Sequence, residues 1–116
     1  MAHRPLARGD VILISFPFTD LSGQKLRPAV IVGRVSGDDL IVAFVTSRLG
    51  GADQQTDVPL DQAQADYARS GLRVPSLIRA DKLATLQRNL ALRRIGSIGP
   101  STEASVARAL RYVFEL

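Results

Sequence analysis

The first strand of this protein is predicted by the run Val11-Ile12-Leu13-Ile14-Ser15-Phe16, which follows Arg8-Gly9-Asp10. A continuous run rich in β-branched and apolar residues is typical of a buried strand. Asp10 is expected to act as a turn residue that bonds the local backbone. Pro17 either ends the strand or places it at a sheet edge, because proline has no backbone N–H to offer a neighbouring strand. The chain is therefore expected to begin as a β-protein.

Further short apolar runs follow at a spacing of roughly ten residues, which is typical of small all-β domains. Polar segments separate them: a loop at 19–25, a turn at Ser36-Gly37-Asp38-Asp39, and a connection at 48–55. Glycine and aspartate in the turn tolerate the left-handed backbone that a tight hairpin needs. The remaining segments predict strands at 29–33, opened by Arg27-Pro28, and at 40–46, 56–60, 76–79 and 93–97.

Two stretches have helical character. Residues 61–68 have the composition of one or two helical turns, with Asp61 as the N-cap and Gly71 as the stop. Pro100 to Phe114 predicts a full helix, because four apolar residues form one core-facing stripe: Val106, Leu110, Val113 and Phe114. Many short strands and one closing helix predict a small antiparallel barrel or a strongly curved sheet.

The length of 116 residues and the mass of 12.5 kDa fit one compact domain. Hydrophobic residues make up 46% and charged residues 22%, which is typical of folded proteins and unlike disordered chains. The longest apolar run, Leu40 to Val45, is much shorter than a membrane helix. Residues 1–7 predict a mobile basic tail with no apolar signal core after it, so we expect a cytoplasmic protein.

The chain has no cysteine, and its only histidine, His3, lies in the expected tail. Thiolate chemistry and a histidine cluster are therefore not expected, nor is any metal or other cofactor, and catalysis would need carboxylates, hydroxyls and arginines. The formal net charge is +4, and 13 of the 15 basic residues are arginine. Guanidinium groups match phosphate oxygens, so this composition indicates either a phosphate-bearing partner or codon bias in a GC-rich genome.

Several motifs in a fixed order resemble one protein family. The segment from Arg8 to Asp20 and its continuation from Gly23 to Val32 contain the most specific parts, Gly9-Asp10-Val11 and Arg27-Pro28-Ala29-Val30. They are similar to the opening of the MazF/PemK/Kid family, which are toxins of type II toxin-antitoxin modules. The likeness continues over nearly the whole chain, through Val45-Thr46-Ser47, Gly71-Leu72, Ser76 to Asp81 and Arg93-Arg94-Ile95-Gly96.

The resemblance implies a mainly β fold with α, in which residues 1–116 form one small SH3-like antiparallel barrel with short helices and a C-terminal helix. It also implies a homodimer that cleaves single-stranded RNA without a metal. In this family the 2′-hydroxyl of the RNA attacks the adjacent phosphorus and leaves a 2′,3′-cyclic phosphate and a 5′-hydroxyl. A cognate antitoxin protein neutralises such toxins, and promoter DNA is bound only together with the antitoxin.

The same resemblance assigns four catalytic residues. Arg27 matches the arginine of the family's Arg-Pro-Ala-Val segment, and Thr46 matches a hydroxyl residue at the end of the third strand. Both contact the scissile phosphate in the family. Arg79 and Asp81 match the Arg-x-Asp pair of the PemK/Kid branch, in which the arginine is implicated as acid and the aspartate as base. Contacts to RNA are expected from three further residues: Lys25, Gln24 and Ser47.

Each catalytic candidate also has a plain structural explanation. Arg27 at the start of a strand is by default a surface cation, and Thr46 is a common strand residue. Arg79 and Asp81 are two residues apart, so on an extended segment they would share a face and form a weak surface ion pair. The first loop, Phe16 to Thr19, lacks the histidine that some Kid-type proteins use. The division of acid and base roles therefore stays open.

Two other functions stay open at this point. Small barrels are widely reused, so a non-catalytic SH3-like module that binds nucleic acid or a peptide is the main alternative to an endoribonuclease. The six aromatic residues offer no obvious stacking pair, which weakens the base-stacking version of that alternative. The third function is a degenerate toxin that only binds its antitoxin, alone or together with promoter DNA.

Overall fold

The computed structural model describes residues 5–17, 24–33, 35 and 37–116, with only the backbone described at Phe16, Pro17 and Gln24. In these residues six strands precede one helix: β1 (Asp10–Pro17), β2 (Gln24–Ile31), β3 (Asp39–Thr46), β4 (Asp57–Leu60), β5 (Ser76–Gln87), β6 (Ala91–Ser97) and α1 (Pro100–Phe114). Two short 3₁₀ turns, Ala68–Ser70 and Arg88–Leu90, precede β5 and β6 respectively. No helix in the described ranges is long and apolar enough to cross a membrane.

The strands form one antiparallel sheet in the order β4-β5-β3-β2-β1-β6. The predicted class, mainly β with a C-terminal helix, is confirmed. Of the two predicted forms, a small antiparallel barrel or a strongly curved sheet, the structure has a sheet that is not closed, because no ladder joins β4 to β6 in the described part of the chain. Instead, α1 packs against β4 and β5, and the Ala68–Ser70 turn packs against β6. These segments lie against the two edge strands, and the sheet stays open.

Apolar side chains cover both faces of the sheet, which explains the continuous apolar run of β1. Val11 belongs to a cluster that includes Val106 and Ala109 of α1, here called the α1 cluster. Ile12 and Ile14 belong to a second cluster, completed by Ala29, Ile31, Leu40 and Val42. Successive side chains of a strand point to opposite faces, so a strand between two clusters must be apolar throughout. The predicted burial of this strand is confirmed.

The segment before β1 is tied to the sheet. Of the predicted tail, residues 1–4 lie outside the described part of the chain, whereas Leu6 packs against the second cluster. The buried Asp10 carboxylate accepts the Ala7 N–H through Oδ2 at 2.9 Å and the Arg94 Nε–H through Oδ1 at 3.2 Å. Asp10 therefore closes the local turn predicted for it, and it also ties β6 to β1.

The helix α1 has the predicted bounds, Pro100–Phe114. Val106 is buried, and the next two residues of the predicted stripe pack against the α1 cluster. Phe114 is 56% exposed, so its assignment to the core is wrong. Eight residues turn a helix about 80° beyond two full turns, which moves Phe114 away from a buried face that extends instead towards Thr102 and Ala109.

A distant turn caps the N-terminus of α1. Gly99 is the N-cap residue and has no side chain to satisfy the first helical N–H groups. Asp66 instead holds this end of the helix in place, because its Oδ2 accepts the N–H of the N-cap residue Gly99 at 2.5 Å and its Oδ1 accepts the Thr102 hydroxyl at 3.0 Å. A carboxylate at this position also complements the helix dipole.

The segment 61–68 differs from its prediction. It forms turns instead of α-helix, and only Ala68–Ser70 takes a 3₁₀ conformation. The Asp61 carboxylate accepts the Ala63 N–H at 2.8 Å, and such a bond to the local backbone competes with helix formation. Gly71 ends the segment in the left-handed conformation, with φ 76°, as predicted.

Strand β2 is longer than predicted. It begins at Gln24 and pairs with β1 over its first seven residues, so Arg27 and Pro28 lie inside the strand and do not open it. The missing N–H of Pro28 is tolerated because β3 joins β2 only from Ala29 onward. This extension places the Arg-Pro-Ala-Val motif at the end of the β2–β3 ladder.

Strand β5 continues well beyond its predicted end at Arg79. Its register to β3 shifts between the pairs Phe44↔Arg79 and Ala43↔Leu83, so residues 80–82 form a bulge. The charged residues of this bulge interrupt the apolar pattern, which concealed the continuation in the sequence. A bulge changes the direction of side chains and is common beside active sites.

Candidate active site

Three of the predicted catalytic residues lie on neighbouring strands. The β2–β3 ladder ends with Ala29 opposite Phe44, and Arg27 and Thr46 each lie two residues beyond that pair. Arg79 on β5 lies directly opposite Phe44. Because side chains alternate along a strand, Arg27, Thr46 and Arg79 all lie on the face that holds Phe44. Since β2, β3 and β5 are adjacent, the three residues occupy one end of that face.

Arg27 and Thr46 differ in exposure. Arg27 is exposed, whereas Thr46 is half-buried at the end of β3. The Thr46 Oγ1 accepts the Arg48 N–H at 3.1 Å, and a hydroxyl that accepts one bond can still donate its own hydrogen. A guanidinium and a hydroxyl donor on the same face are both suited to bind phosphate oxygens.

Arg79 lies between two carboxylates. Its Nε is 3.4 Å from Asp57 Oδ1, and its Nη2 is 3.7 Å from Asp81 Oδ1. The Asp57 side chain is only 6% exposed, whereas the side chains of Arg79 and Asp81 are 36% and 37% exposed. The predicted Arg79–Asp81 ion pair is therefore present, at a distance and exposure that give it little energy and leave it open to exchange with a ligand.

Asp57 is a polar residue of this cluster that the sequence analysis assigned only to a strand. It lies opposite Arg79 in the β4–β5 ladder and is the first residue of β4. Aspartate is depleted in strands, so an aspartate inside the predicted strand, between Thr56 and Val58, was a usable signal. What the sequence did not reveal is the partner on the neighbouring strand.

A hollow of about 520 Å³ adjoins Arg27. Its lining combines apolar side chains with Ser47 and four arginines: Arg27, Arg73, Arg93 and Arg94. Among the described residues that line it, Thr46, Arg79 and Asp81 do not occur. The structure thus groups Arg27 with Ser47 in a basic hollow and Arg79 with Asp81 in an ion-pair cluster, with Thr46 at the end of the strand between them.

Two glycines allow the wall of this hollow to form. A Cβ on Gly71 would lie 2.1 Å from the Ile95 carbonyl oxygen, and one on Gly96 would lie 2.2 Å from the Arg69 carbonyl oxygen. Both contacts are between backbones, so no side chain can move to relieve them. The Arg69–Leu72 segment therefore packs directly against β6, and Gly71, Leu72 and Ile95 from these two segments line the hollow.

The other two predicted RNA contacts lie at the start of β2. Lys25 is exposed and lies two residues before Arg27, so both share one face of the strand. Gln24 begins the strand, and its side chain lies outside the described part of the structure, as does the first-loop segment Phe18-Thr19. No group of three or more histidine, aspartate or glutamate side chains that could hold a metal occurs among the described residues.

Comparison with solved structures gives the same fold. The Mycobacterium tuberculosis toxin MazF-mt6 is similar with a TM-score of 0.68 and 27% identity, over 90% of this chain and 97% of that one. An endoribonuclease from a mycobacterial species, in complex with its cognate antitoxin, has a TM-score of 0.73 at 20% identity and covers 97% of each chain. The MazE–MazF complex of Deinococcus radiodurans has a TM-score of 0.74 at 19% identity and covers 96% of each chain.

Comparison of the sequence finds no match among proteins of curated function. Comparison with protein families does find one. The model of the PemK-like, MazF-like toxins of type II toxin-antitoxin systems matches residues 7–114, which is nearly the whole chain. This span includes every residue of the candidate site and all six strands. The chain therefore belongs to the family of PemK-like, MazF-like toxins of type II toxin-antitoxin systems.

Proposed function

We propose that this protein is an endoribonuclease toxin that cleaves single-stranded RNA without a metal and is neutralised by a cognate antitoxin. The observation that supports it most directly is the position of Arg27, Thr46 and Arg79 on one face of three adjacent strands. In the proposed complex, the two guanidiniums and the hydroxyl of this face bind one phosphate group. Family membership and the mycobacterial endoribonuclease of the same fold give independent support.

The proposed reaction needs only groups of this kind. The 2′-hydroxyl of the RNA loses a proton and forms a bond to the adjacent phosphorus, while the bond from phosphorus to the 5′ oxygen breaks and that oxygen gains a proton. The products are a 2′,3′-cyclic phosphate and a 5′-hydroxyl. The substrate supplies the nucleophile, so the protein must align the attack, transfer protons and stabilise charge on the phosphoryl oxygens.

The four candidate residues divide these tasks. Asp81 accepts the proton of the 2′-hydroxyl, since its carboxylate is exposed. Arg79 donates a proton to the departing 5′ oxygen. After the products leave, Asp81 Oδ1 again lies 3.7 Å from Arg79 Nη2, and the proton held by Asp81 returns to Arg79. Arg27 and Thr46 donate hydrogen bonds to the phosphoryl oxygens, where negative charge increases in the transition state.

Binding of RNA and of the antitoxin follows from charge. Lys25 shares the strand face of Arg27 and extends the site along β2, and Gln24 begins that strand. Ser47 follows Thr46 and lines the basic hollow, so the proposed RNA path runs past the end of β3 into the hollow. The hollow suits the RNA backbone, and it also suits an acidic antitoxin segment, which would then exclude RNA. Two solved relatives are complexes with an antitoxin. We propose a cytoplasmic homodimer that binds promoter DNA only together with its antitoxin.

Cleavage of a defined unstructured RNA by the purified protein tests this function. We expect new 5′-hydroxyl ends in the presence of a chelator and no cleavage where a 2′-methoxy group replaces the nucleophile. Arg27→Ala should lower the rate about 100-fold or more, because it removes a donor to the developing phosphoryl charge. Cleavage at a blocked site would contradict the mechanism, and salt-dependent binding without any cleavage would indicate a non-catalytic module.

A further inference from the structure

We infer that Asp57 is the positioning residue of Arg79: it holds the guanidinium by Nε and leaves the Nη groups for the RNA phosphate. This inference rests on the proposed function. Arg79 and Asp57 lie opposite each other on β5 and β4, with 3.4 Å between Nε and Oδ1. The Nε atom is buried although the Arg79 side chain is 36% exposed, so the exposed surface belongs to other atoms of that side chain.

Hydrogen bonds to the preceding turn fix the position of the Asp57 carboxylate. Its Oδ2 accepts the Asp53 N–H at 2.9 Å, and its own N–H donates to the Asp53 carbonyl at 2.8 Å. The turn is closed further by the Gln55 N–H, which donates to Asp53 Oδ1 at 2.9 Å. The Ala80 N–H of β5 donates to the Thr56 carbonyl at 2.9 Å, and this bond connects β5 to the turn. The carboxylate therefore has a fixed position from which to orient Arg79.

The second carboxylate beside Arg79 has the opposite character. Asp81 lies in the bulge of β5, is exposed and is 3.7 Å from Nη2. Water competes with such a pair. Asp57 Oδ1 and Arg79 Nε, in contrast, are both buried and neither makes a hydrogen bond among the described residues, so their attraction at 3.4 Å is shielded from water. When a phosphate approaches, it replaces Asp81 at Nη2 while Asp57 keeps Nε in place. The replaced Asp81 carboxylate is then available to accept the proton of the 2′-hydroxyl.

Asp57→Asn tests the charge of this residue without removing its hydrogen bond to the turn. An asparagine oxygen can still accept the Asp53 N–H, so the turn is kept, but the negative charge facing Arg79 is lost. We expect kcat for RNA cleavage to fall about 100-fold, as for a misplaced catalytic group, with KM nearly unchanged. In an Arg79→Lys background, which has no Nε, the same substitution should have little further effect. A full additional loss there would overturn the inference.

A readout that does not depend on cleavage completes the test. In heteronuclear NMR the Arg79 Nε–H of the wild-type protein should give a sharp signal protected from exchange, and Asp57→Asn should broaden it or remove it. Asp66→Asn is the matched control, since it also neutralises a buried carboxylate that accepts a backbone N–H, and it should leave this signal and kcat unchanged. Asp57→Ser replaces the asparagine variant if that one does not fold.

The two readouts keep this inference distinct from the proposed function. If wild-type protein cuts no RNA but Asp57→Asn still releases the Arg79 signal, the endoribonuclease proposal fails and the anchoring of Arg79 by Asp57 holds. If RNA is cut and the signal or kcat does not respond to Asp57→Asn, the positioning role of Asp57 is wrong and the endoribonuclease proposal is untouched.

Discussion

Two aspartate–arginine pairs in this protein are built in the same way. Asp10 begins β1 and Asp57 begins β4, and a valine follows each of them. In both pairs Oδ2 accepts a backbone N–H from the preceding turn, and Oδ1 faces the Nε of an arginine, Arg94 on β6 or Arg79 on β5. The aspartates are 3% and 6% exposed and the arginines 40% and 36%. The pairs therefore differ little in burial.

They differ in alignment and in what surrounds the arginine. The Asp10–Arg94 contact is a hydrogen bond of 3.2 Å, whereas the Asp57–Arg79 contact of 3.4 Å lies outside hydrogen-bond geometry. Arg79 also has a second, exposed carboxylate, Asp81, within 3.7 Å. A well-aligned pair fastens two strands together. The Asp57–Arg79 contact joins two buried charged atoms and orients Arg79, while the exposed Asp81 beside it can exchange with a ligand.

The largest expected effect separates the two arginines by activity. Arg79→Ala should lower the rate of RNA cleavage about 100-fold or more, because a donor to the reacting phosphate is lost. Arg94→Ala should change kcat far less, since Arg94 lies outside the ion-pair cluster, and because Arg94 lines the basic hollow its loss should instead raise KM for RNA. Single-turnover cleavage by the two variants, at equal folded fraction by circular dichroism, measures the difference. Equal losses of kcat would break the comparison.

The next effect concerns stability at the Asp57–Arg79 pair. Arg79→Ala leaves the Asp57 carboxylate buried without its partner, which should lower the free energy of unfolding by about 1–3 kcal/mol. Adding Asp57→Asn should restore part of this loss, because the unpaired buried charge is then removed. Urea unfolding of the two single variants and the double variant tests it, and strict additivity would contradict it.

The sequence predicts features that neighbouring residues determine better than features that depend on residues distant in the chain. The burial of β1 was predictable, because Val11, Ile12 and Ile14 contact clusters on both faces and the apolar pattern records that directly. The bounds of α1 were predictable for the same reason, since Pro100 and the apolar spacing are local. Phe114 was assigned wrongly because a stripe defined by spacing alone does not show on which side the buried face extends.

The candidate site was predictable in its residues but not in its grouping. The motifs around Arg27, Thr46 and Arg79 are recognisable in the sequence, and the sheet order then places them on adjacent strands. Asp57 was missed as a partner of Arg79 because the pair forms only through the β4–β5 register. The bulge that separates Asp81 from the regular ladder was missed for the same reason, because register is a property of two strands together.

The smallest expected change in stability belongs to Asp81, and it sharpens the contrast with the buried carboxylates. Asp81→Asn removes an exposed ion pair of 3.7 Å, so the free energy of unfolding should change by less than about 0.5 kcal/mol. Cleavage should nevertheless fall steeply, because the proposed base is lost. Urea unfolding and single-turnover cleavage of the same preparation measure both quantities. A stability loss as large as that of Asp57→Asn would mean that Asp81, and not Asp57, anchors Arg79, and an unchanged cleavage rate would remove Asp81 from the reaction.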